Sequence, residues 1–403
     1  MSEKTEKRKS ILLKSGVLLG VPDRKLSGKV MDIAIDSSGM IAKIGTDLDS
    51  KDWDTSLNLK GSYVSPGWID LHTHIYEASS LGIEPDSIGP ETGVTTLVDA
   101  GTSGEATFAG LRKYVIEKKN YTIRAILNIN SLGIGGMCNH ENIDLLRSTA
   151  RVEENKEHIR GIKVLASKKF VGNSWVLSVT AAKRLAVDMN LPLMVHLGQP
   201  PVYLEELVYG ILDSGDIVTH CFHGKVGNSV RSSASRIIAL YRNAVEKGIL
   251  LDVGHGVSSF SIESARGAIE QGIKPHTISS DLHAQNINGP VWSLAVVMSK
   301  MLACNLTLEE VVEMVTLNPA TILGETDYGS LEAGARANFT VFDLEKGEFL
   351  FTDSGAVDDI TRGSDPKYQT QFPGAAFIKP RFVYYNGTFS KATARGLEEN
   401  RSR

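Results

Sequence analysis

Short apolar segments alternate with longer amphipathic segments between residue 63 and about residue 334, and few folds accommodate this alternation. The apolar segments cover residues 64–71, 95–99, 124–129, 161–165, 192–196, 217–220, 249–253 and 277–281. Helix-like segments between them include residues 180–190, 234–248 and 291–304. Eight strands that alternate with helices predict an α/β fold, a parallel (β/α)8 barrel of the TIM type. The C-terminal ends of such strands, with the loops that follow them, build the active site.

Strand-like segments return on both sides of this alternating region. They cover residues 11–17, 32–35 and 41–44 before it, and residues 338–343, 346–352 and 377–389 after it. Turn residues separate them, and we expect the two groups to pair into one small β-sandwich. The predicted division is residues 1–62 as the N-terminal part of the sandwich, 63–334 as the barrel, 335–390 as the C-terminal part of the sandwich and 391–403 as a polar tail.

The charge and the hydropathy of the chain give no signal for nucleic-acid or membrane partners. Lys and Arg number 43 against 47 Asp and Glu, so no basic surface is indicated. Basic residues 4–9 before apolar residues 11–21 resemble the start of a signal peptide, but Lys14 interrupts the run and no small-residue cleavage site follows. No apolar run approaches the ~18 residues of a membrane span. The three cysteines form no C-x-x-C motif, and we expect a cytoplasmic protein with reduced thiols.

The first predicted barrel strand ends in two histidines, His72 and His74, separated by one residue. Residues i and i+2 of a strand point to the same face, so both imidazoles can enter one cavity. Two neutral imidazole nitrogens suit a borderline metal such as zinc. A lone His-x-His pattern also occurs in surface and core histidines, so the prediction of a metal site depends on further ligands.

Four further polar residues occupy or lie near the ends of later predicted strands. Lys163 lies inside the fourth strand, His196 ends the fifth, His220 ends the sixth and Asp281 ends the eighth. Taken singly, the lysine could pair with an acid, the histidines could be satisfied core residues and the aspartate could cap the next segment. A buried polar group without a partner is costly, so together these side chains are expected to bind one another or a metal.

A lysine is an unusual metal ligand because its ammonium group has donors and no acceptor. Burial near a dication lowers the pKa of the amine, and the neutral amine can add carbon dioxide to form a carbamate. The two oxygens of that anion can bridge two metal ions, which in two-metal sites lie ~3.5–4 Å apart. Lys163 is therefore a candidate for N6-carboxylation.

These motifs resemble those of the amidohydrolase superfamily. The resemblance rests on the stretch SPGWIDLHTH at residues 65–74, the strand-end ligands, and the stretches around residues 318–320 and 329–343 that return into the small β-domain. The stretches GIKV, MVHLGQPP, THCFHG, DVGHG and SDLH, which begin at residues 161, 194, 219, 252 and 280, resemble one branch. That branch is the deacetylase-family metallohydrolases, often described as dihydroorotase-like. The resemblance covers nearly the whole chain.

The resemblance implies a hydrolase with two divalent metal ions, with zinc as the expected metal. The implied ligands are His72, His74, Asp281 and the carboxylated Lys163 for one ion, and the carboxylated Lys163, His196 and His220 for the other. A bridging hydroxide would attack an amide or ester carbonyl, and Asp281 would pass its proton to the leaving amine or alkoxide. The implied substrates are small acylated acids, either N-acetyl amino acids or O-acetyl hydroxy acids.

The residues that contact the substrate are less clearly indicated. A dihydroorotase is expected to carry an arginine two residues after the second histidine, whereas this chain has Tyr76. Tyrosine donates one hydrogen bond and offers no bidentate charge, which argues against dihydroorotate as the substrate. Candidate substrate contacts are Tyr76, His223, His255, His283 and Asn286, and each of these histidines could instead support a ligand. The glycine-rich loop at 133–136 lacks the G-x-G-x-x-G spacing of a nucleotide site.

Three alternatives remain open at this point. One is a cyclic amidase of the dihydroorotase type, which Tyr76 disfavours. Another is a mononuclear deaminase of the same superfamily, in which a bridging Lys163 would have no role. The third is a non-catalytic scaffold whose relatives have lost their metal ligands, although all six predicted ligands are present here. The expected partner is a small-molecule substrate, and association into a homo-oligomer is left open.

Overall fold

A computed structural model describes residues 9–135, 140–167, 175–198, 205–325, 331–355, 360–363 and 365–402 of the chain. The parts of the sequence motifs at residues 136, 199–201 and 329–330 lie outside these ranges. Within the described ranges, no helix is long and apolar enough to cross a membrane.

Strands from both ends of the chain form one mostly antiparallel sheet. Its strands are β1 (Ile11–Leu18), β2 (Val30–Ile35), β3 (Ile41–Gly45), β4 (Thr55–Asn58), β5 (Tyr63–Pro66), β13 (Phe339–Asp353), β14 (Thr370–Tyr385) and β15 (Thr388–Lys391). The order is β15-β14-β13-β5-β1-β2-β3, with β4 also paired to β1. The N-terminal and C-terminal segments therefore meet where β5 pairs with β13. The predicted pairing of the two ends is confirmed.

The other sheet contains seven parallel strands in sequence order. They are β6 (Trp68–Thr73), β7 (Val94–Gly104), β8 (Thr122–Asn128), β9 (Ile159–Leu165), β10 (Leu193–His196), β11 (Ile217–Thr219) and β12 (Leu250–Asp252). The helices of the described residues are α1 (Phe108–Tyr114), α2 (Leu145–Glu153), α3 (Trp175–Met189), α4 (Glu205–Ile211), α5 (Val230–Lys247), α6 (Ile262–Ile269), α7 (Leu294–Ala303), α8 (Leu308–Glu313), α9 (Leu317–Leu323) and α10 (Ile360–Gly363). This alternation is the α/β barrel that the sequence predicts.

The eighth barrel segment, predicted as a strand at 277–281, closes the sheet through isolated bridges. Thr277 bridges to Asp252 at the end of β12, and Leu282 bridges to Thr73 of β6. The amide of Asp281 donates to the carbonyl of His72 at 2.7 Å. The segment departs from extended geometry at Asp281, whose φ is 52°. The barrel is closed, and its last member brings Asp281 beside the first strand.

Gly67 divides the first predicted barrel segment into two strands that belong to different sheets. β5 before it pairs with β13, and β6 after it pairs with β7. A side chain on Gly67 would overlap the side chains of Asn338 and Thr95, so the crossing between the two sheets requires glycine. This crossing fixes the start of β6, and hence the positions of His72 and His74.

The residues predicted as a polar tail pack against the terminal sheet. Leu397 and Asn400 are buried, and the carbonyl of Asn400 accepts from the amide of Leu350 in β13. Arg401 forms a bridge with Phe349. The polar composition of this segment therefore does not prevent it from contacting β13.

Candidate metal centre

His72, His74 and Asp281 form a buried cluster at the C-terminal end of β6. One ligand atom from each lies within 4.8 Å of the others. Asp281 Oδ1 is 3.4 Å from His72 Nε2 and 3.1 Å from His74 Nε2. The two rings stand nearly edge to face, as expected for side chains that converge on one point from the same strand face. These three residues have the donor types and the convergence of a divalent metal site.

Lys163 of β9 reaches the same cluster from across the barrel and is fully buried. Its Nζ lies 3.2 Å from His72 Nε2 and 3.1 Å from Met194 Sδ. Burial lowers the pKa of Lys163 to about 8, although Asp281, Asp252 and Asp99 act in the opposite direction. Among the described residues, no carboxylate lies within ion-pair distance of this amine, so pairing with an acid does not account for its burial.

His196 and His220 form the other side of the cluster. His220 Nε2 lies 2.8 Å from His196 Nδ1, and the His220 ring is 5.3 Å from the ring of His72. All six residues that the sequence analysis predicted as metal ligands are therefore brought together at the mouth of the barrel. Lys163 contacts His72, and the His72 ring in turn faces that of His220.

The protonation states of these groups suit metal binding. Burial holds the pKa of His72 and of His196 well below the usual range and lowers that of His220 to about 4, so the imidazoles are neutral at pH 7. Burial alone would raise the pKa of Asp281, but the neighbouring His72, His74 and His220 outweigh it and hold that pKa well below its usual range. The cluster therefore combines neutral nitrogen donors with an anionic carboxylate.

Thr219 and Asp252 set the orientation of His72. The Thr219 hydroxyl donates to Asp252 Oδ2 at 2.7 Å, so its oxygen accepts from His72 Nδ1–H at 3.0 Å. That arrangement leaves the lone pair of His72 Nε2 directed at the cluster. Asp252 also accepts from Thr277 and Ser279, each at 2.7 Å, and these bonds fix its carboxylate. Such outer contacts commonly tune metal ligands.

Comparable contacts orient His74 and His220. His74 Nδ1 lies 2.8 Å from the hydroxyl of Thr102, whose amide donates to Asp99 Oδ1. His220 Nδ1 donates to the carbonyl of Gly254, which leaves Nε2 for His196 or a metal. These supporting residues could not be predicted from the sequence, because a threonine or an aspartate on a strand does not show its partner until the fold is known.

Two of the cluster residues have strained backbone conformations. His220 has φ of 70° and Asp281 has φ of 52°, values that residues other than glycine rarely adopt. Such conformations cost of order 1–3 kcal/mol each and concentrate at functional sites. The strain lets the chain turn sharply at the strand end while each side chain stays directed into the barrel.

The five predicted substrate residues are distributed differently. The ring of His283 lies 6.2 Å from that of His74, close to the cluster. Asn286 uses its amide to donate to the carbonyl of Asp281 and to accept from the amide of His283, so it holds that loop together. Tyr76 is half-buried, with its hydroxyl against Gly110 of α1. Substrate contact at these positions stays a prediction.

His223 and His255 have protein partners. His223 Nε2 is 3.9 Å from Glu205, and its Nδ1 accepts from the amide of Lys225. His255 stacks on Phe260, and its Nε2 lies 2.8 Å from Nζ of the buried Lys300. Lys300 also donates to two carbonyl groups, so all three of its donors are used. These contacts favour a supporting role for His255.

Known proteins match this chain over most of its length. The model of the amidohydrolase family matches residues 63–379. A deacetylase of Agrobacterium fabrum is 43% identical over 346 residues, which are 84% of each chain, and a deacetylase of Brucella anthropi is 42% identical over 85% of this chain and 87% of its own. The crystal structure of a dihydroorotase, 39% identical, superposes with a TM-score of 0.85 over 95% of this chain and 98% of its own.

The family match, the barrel and the histidine-aspartate cluster agree. The relatives are similar along most of both chains, and the cluster has the donors that metal-dependent hydrolysis needs. The chain belongs to the amidohydrolase family, as a hydrolase of its deacetylase and dihydroorotase-like branch.

Proposed function

We propose that this protein is a deacetylase that hydrolyses the amide or ester bond of a small acylated acid, using two divalent metal ions and an N6-carboxylated Lys163. The observation that carries the proposal is a continuous set of contacts among six side chains. His72 and His74 face Asp281, Lys163 contacts His72, and the His72 ring faces that of His220, which contacts His196. The names of the two relatives that are 42% and 43% identical support the reaction type.

The residues present fit a pair of divalent ions. His72, His74, Asp281 and the carboxylated Lys163 would hold one ion. The carboxylated Lys163, His196 and His220 would hold the other. The neutral imidazoles of His72, His196 and His220 and the anionic aspartate are suitable donors. The lowered pKa of Lys163 makes its neutral amine available to carbon dioxide. Carboxylation turns the lysine from a donor into a two-oxygen acceptor.

When bound, the ions polarise the substrate carbonyl and lower the pKa of water. The chain supplies the proton transfer: Asp281 Oδ1 faces the two histidines, so Oδ2 can take the proton of the attacking water and pass it to the leaving nitrogen or oxygen. Thr219 holds the ring of His72 in place during the reaction, and Thr102 holds that of His74. Burial of the cluster keeps bulk water away from these groups.

A cyclic amidase of the dihydroorotase type is the second candidate function. The crystal structure of a dihydroorotase that superposes with a TM-score of 0.85 favours it. Tyr76 argues against it, because a phenol cannot replace a bidentate arginine as the partner of a carboxylate. The hydroxyl of Tyr76 also lies against Gly110, so its ring leans towards α1.

A panel of substrates distinguishes these two functions. Metal-reconstituted protein would be assayed against N-acetyl D- and L-amino acids, O-acetyl hydroxy acids, and dihydroorotate with related cyclic amides. We expect kcat/KM in the ordinary enzyme range of about 10⁴ M⁻¹s⁻¹ or more for at least one acetylated acid. Hydrolysis of the cyclic amides alone would favour the second candidate, and metal-free protein is the control for adventitious hydrolysis.

A further inference from the structure

A small polar recess lies beside His196, formed by Ser167, Gly198 and Lys225. We propose that this recess binds the carboxylate of the substrate, with the ammonium group of Lys225 and the hydroxyl of Ser167 as its donors. The inference rests on the proposed function and names the group that would select acids over neutral acyl compounds. Neither Ser167 nor Lys225 belongs to a motif of the sequence.

The recess lies where three consecutive barrel strands end. Ser167 comes two residues after β9, Gly198 two residues after β10, and Lys225 in the segment that follows β11. The C-terminal ends of parallel strands in a barrel form its mouth, so these residues share the face that carries the ligand cluster. In a dihydroorotase, the arginine that is expected to bind the substrate carboxylate would instead follow β6, the first barrel strand.

Three polar atoms surround the position that a side chain on Gly198 would occupy. That position is 3.0 Å from Lys225 Nζ, 3.0 Å from Ser167 Oγ and 3.1 Å from His196 Nε2. Any side chain there would crowd all three groups, so glycine is the residue that this position accepts without displacing them. Glycine commonly occurs where a ligand must approach the backbone. The recess therefore adjoins a predicted metal ligand, and three polar groups converge on it.

Ser167 provides an independent indication of a ligand. Ser167 is 3% exposed, and its Oγ is buried with no hydrogen-bond partner among the described residues. A buried hydroxyl without a partner costs free energy, so such groups usually bind something. The atom belongs to the group of three around Gly198, and a ligand in the recess would supply its missing acceptor.

The charges around the recess favour the binding of an anion. Lys225 is 7% exposed. Burial lowers the pKa of His223, and the positive charge of Lys225 acts in the same direction. Burial raises the pKa of Glu205, the carboxyl group that faces His223, to about 8, so it is mainly neutral at pH 7. A carboxylate accepts from an ammonium group and from a hydroxyl at once, which matches the two donors.

The test compares the hydrolysis of an acid with the hydrolysis of its neutral amide, in variants of Lys225 and Ser167. The substrates are the best acetylated acid from the panel and the primary carboxamide of the same compound. The variants are Lys225→Met and Ser167→Ala, with Lys346→Met, at an exposed position of β13, as the control. Metal content and melting temperature are measured for each protein, because Lys225 lies near His196.

We expect Lys225→Met to lower kcat/KM for the acid by about 10- to 100-fold, mainly through KM, and to lower it much less for the carboxamide. Ser167→Ala should lower the ratio of kcat/KM for the acid to kcat/KM for the carboxamide by about 3- to 10-fold. Lys346→Met should leave kcat/KM for the acid and for the carboxamide as in the unmodified protein. An equal loss for the acid and the carboxamide, in both variants and with the metals retained, would overturn the carboxylate site and leave the deacetylase proposal intact. Failure of the unmodified, metal-loaded protein to hydrolyse any acetylated acid would instead overturn the proposed function, and this inference with it.

Discussion

Replacing Lys163 with methionine should lower kcat/KM for the acylated substrate by about 10³-fold or more and leave the barrel folded. The change removes the amine that would carry the bridging carbamate, while methionine fills a similar volume among apolar neighbours such as Met194. Metal ions contribute several kcal/mol to transition-state stabilisation, and each 1.36 kcal/mol is tenfold in rate. The measurement is kcat/KM together with the melting temperature.

A matched control separates the loss of the site from the loss of a buried lysine. Lys183→Met removes a lysine whose side chain is 14% exposed and which binds Asp216 outside the cluster. We expect this control to lower the melting temperature and to leave kcat within about threefold. Lys163→Met with activity close to that of the unmodified protein would contradict the role assigned to Lys163. In Lys163→Ala, a small carboxylate such as acetate should restore part of the activity, because it can occupy the space of the missing carbamate.

Replacing Asp281 with asparagine should lower kcat by about 10²- to 10⁴-fold, the usual contribution of a general acid–base group. Asparagine keeps the shape and the oxygen that faces His72 and His74, but it cannot take a proton from water. KM should change less than kcat, since the substrate is not held by this group. Steady-state kinetics on metal-reconstituted protein give both values.

Asp216→Asn is the control for Asp281→Asn. Asp216 is also buried, and it binds the amide of Leu193 and the ammonium of Lys183 away from the metal cluster. We expect this control to lose stability and to keep kcat within about threefold. If Asp281→Asn retains full kcat, then Asp281 does not transfer the proton, and another group must act as the base.

Much of the fold could be predicted because the signals are local. Strands of a parallel sheet are buried on both faces and read as apolar runs, and the helices between them show their own period. The division at Gly67 could not be predicted, since residues 64–71 form one apolar run and the crossing depends on Asn338, far along the chain. β4 was missed because all four of its residues are exposed, so no apolar pattern marks it.

The candidate site divides in the same way. The clustering of the six proposed ligands could be predicted because each lies in or at the end of an apolar run, and a barrel brings strand ends together. The supporting residues could not, since the bond from Thr219 to Asp252 crosses between two strands. Ser167 and Lys225 follow strands without any motif, and only the folded chain brings them to Gly198.

The number of metal ions per chain tests the central claim most directly. The protein would be purified, reconstituted with zinc and passed through a desalting column. Its zinc content would be measured by plasma mass spectrometry and divided by the protein concentration. We expect about two ions per chain in the unmodified protein, as in other two-metal hydrolytic sites, and about one fewer in Lys163→Met. One ion or none in protein that hydrolyses its substrate at full rate would contradict the two-metal site, and the role of Lys163 in it.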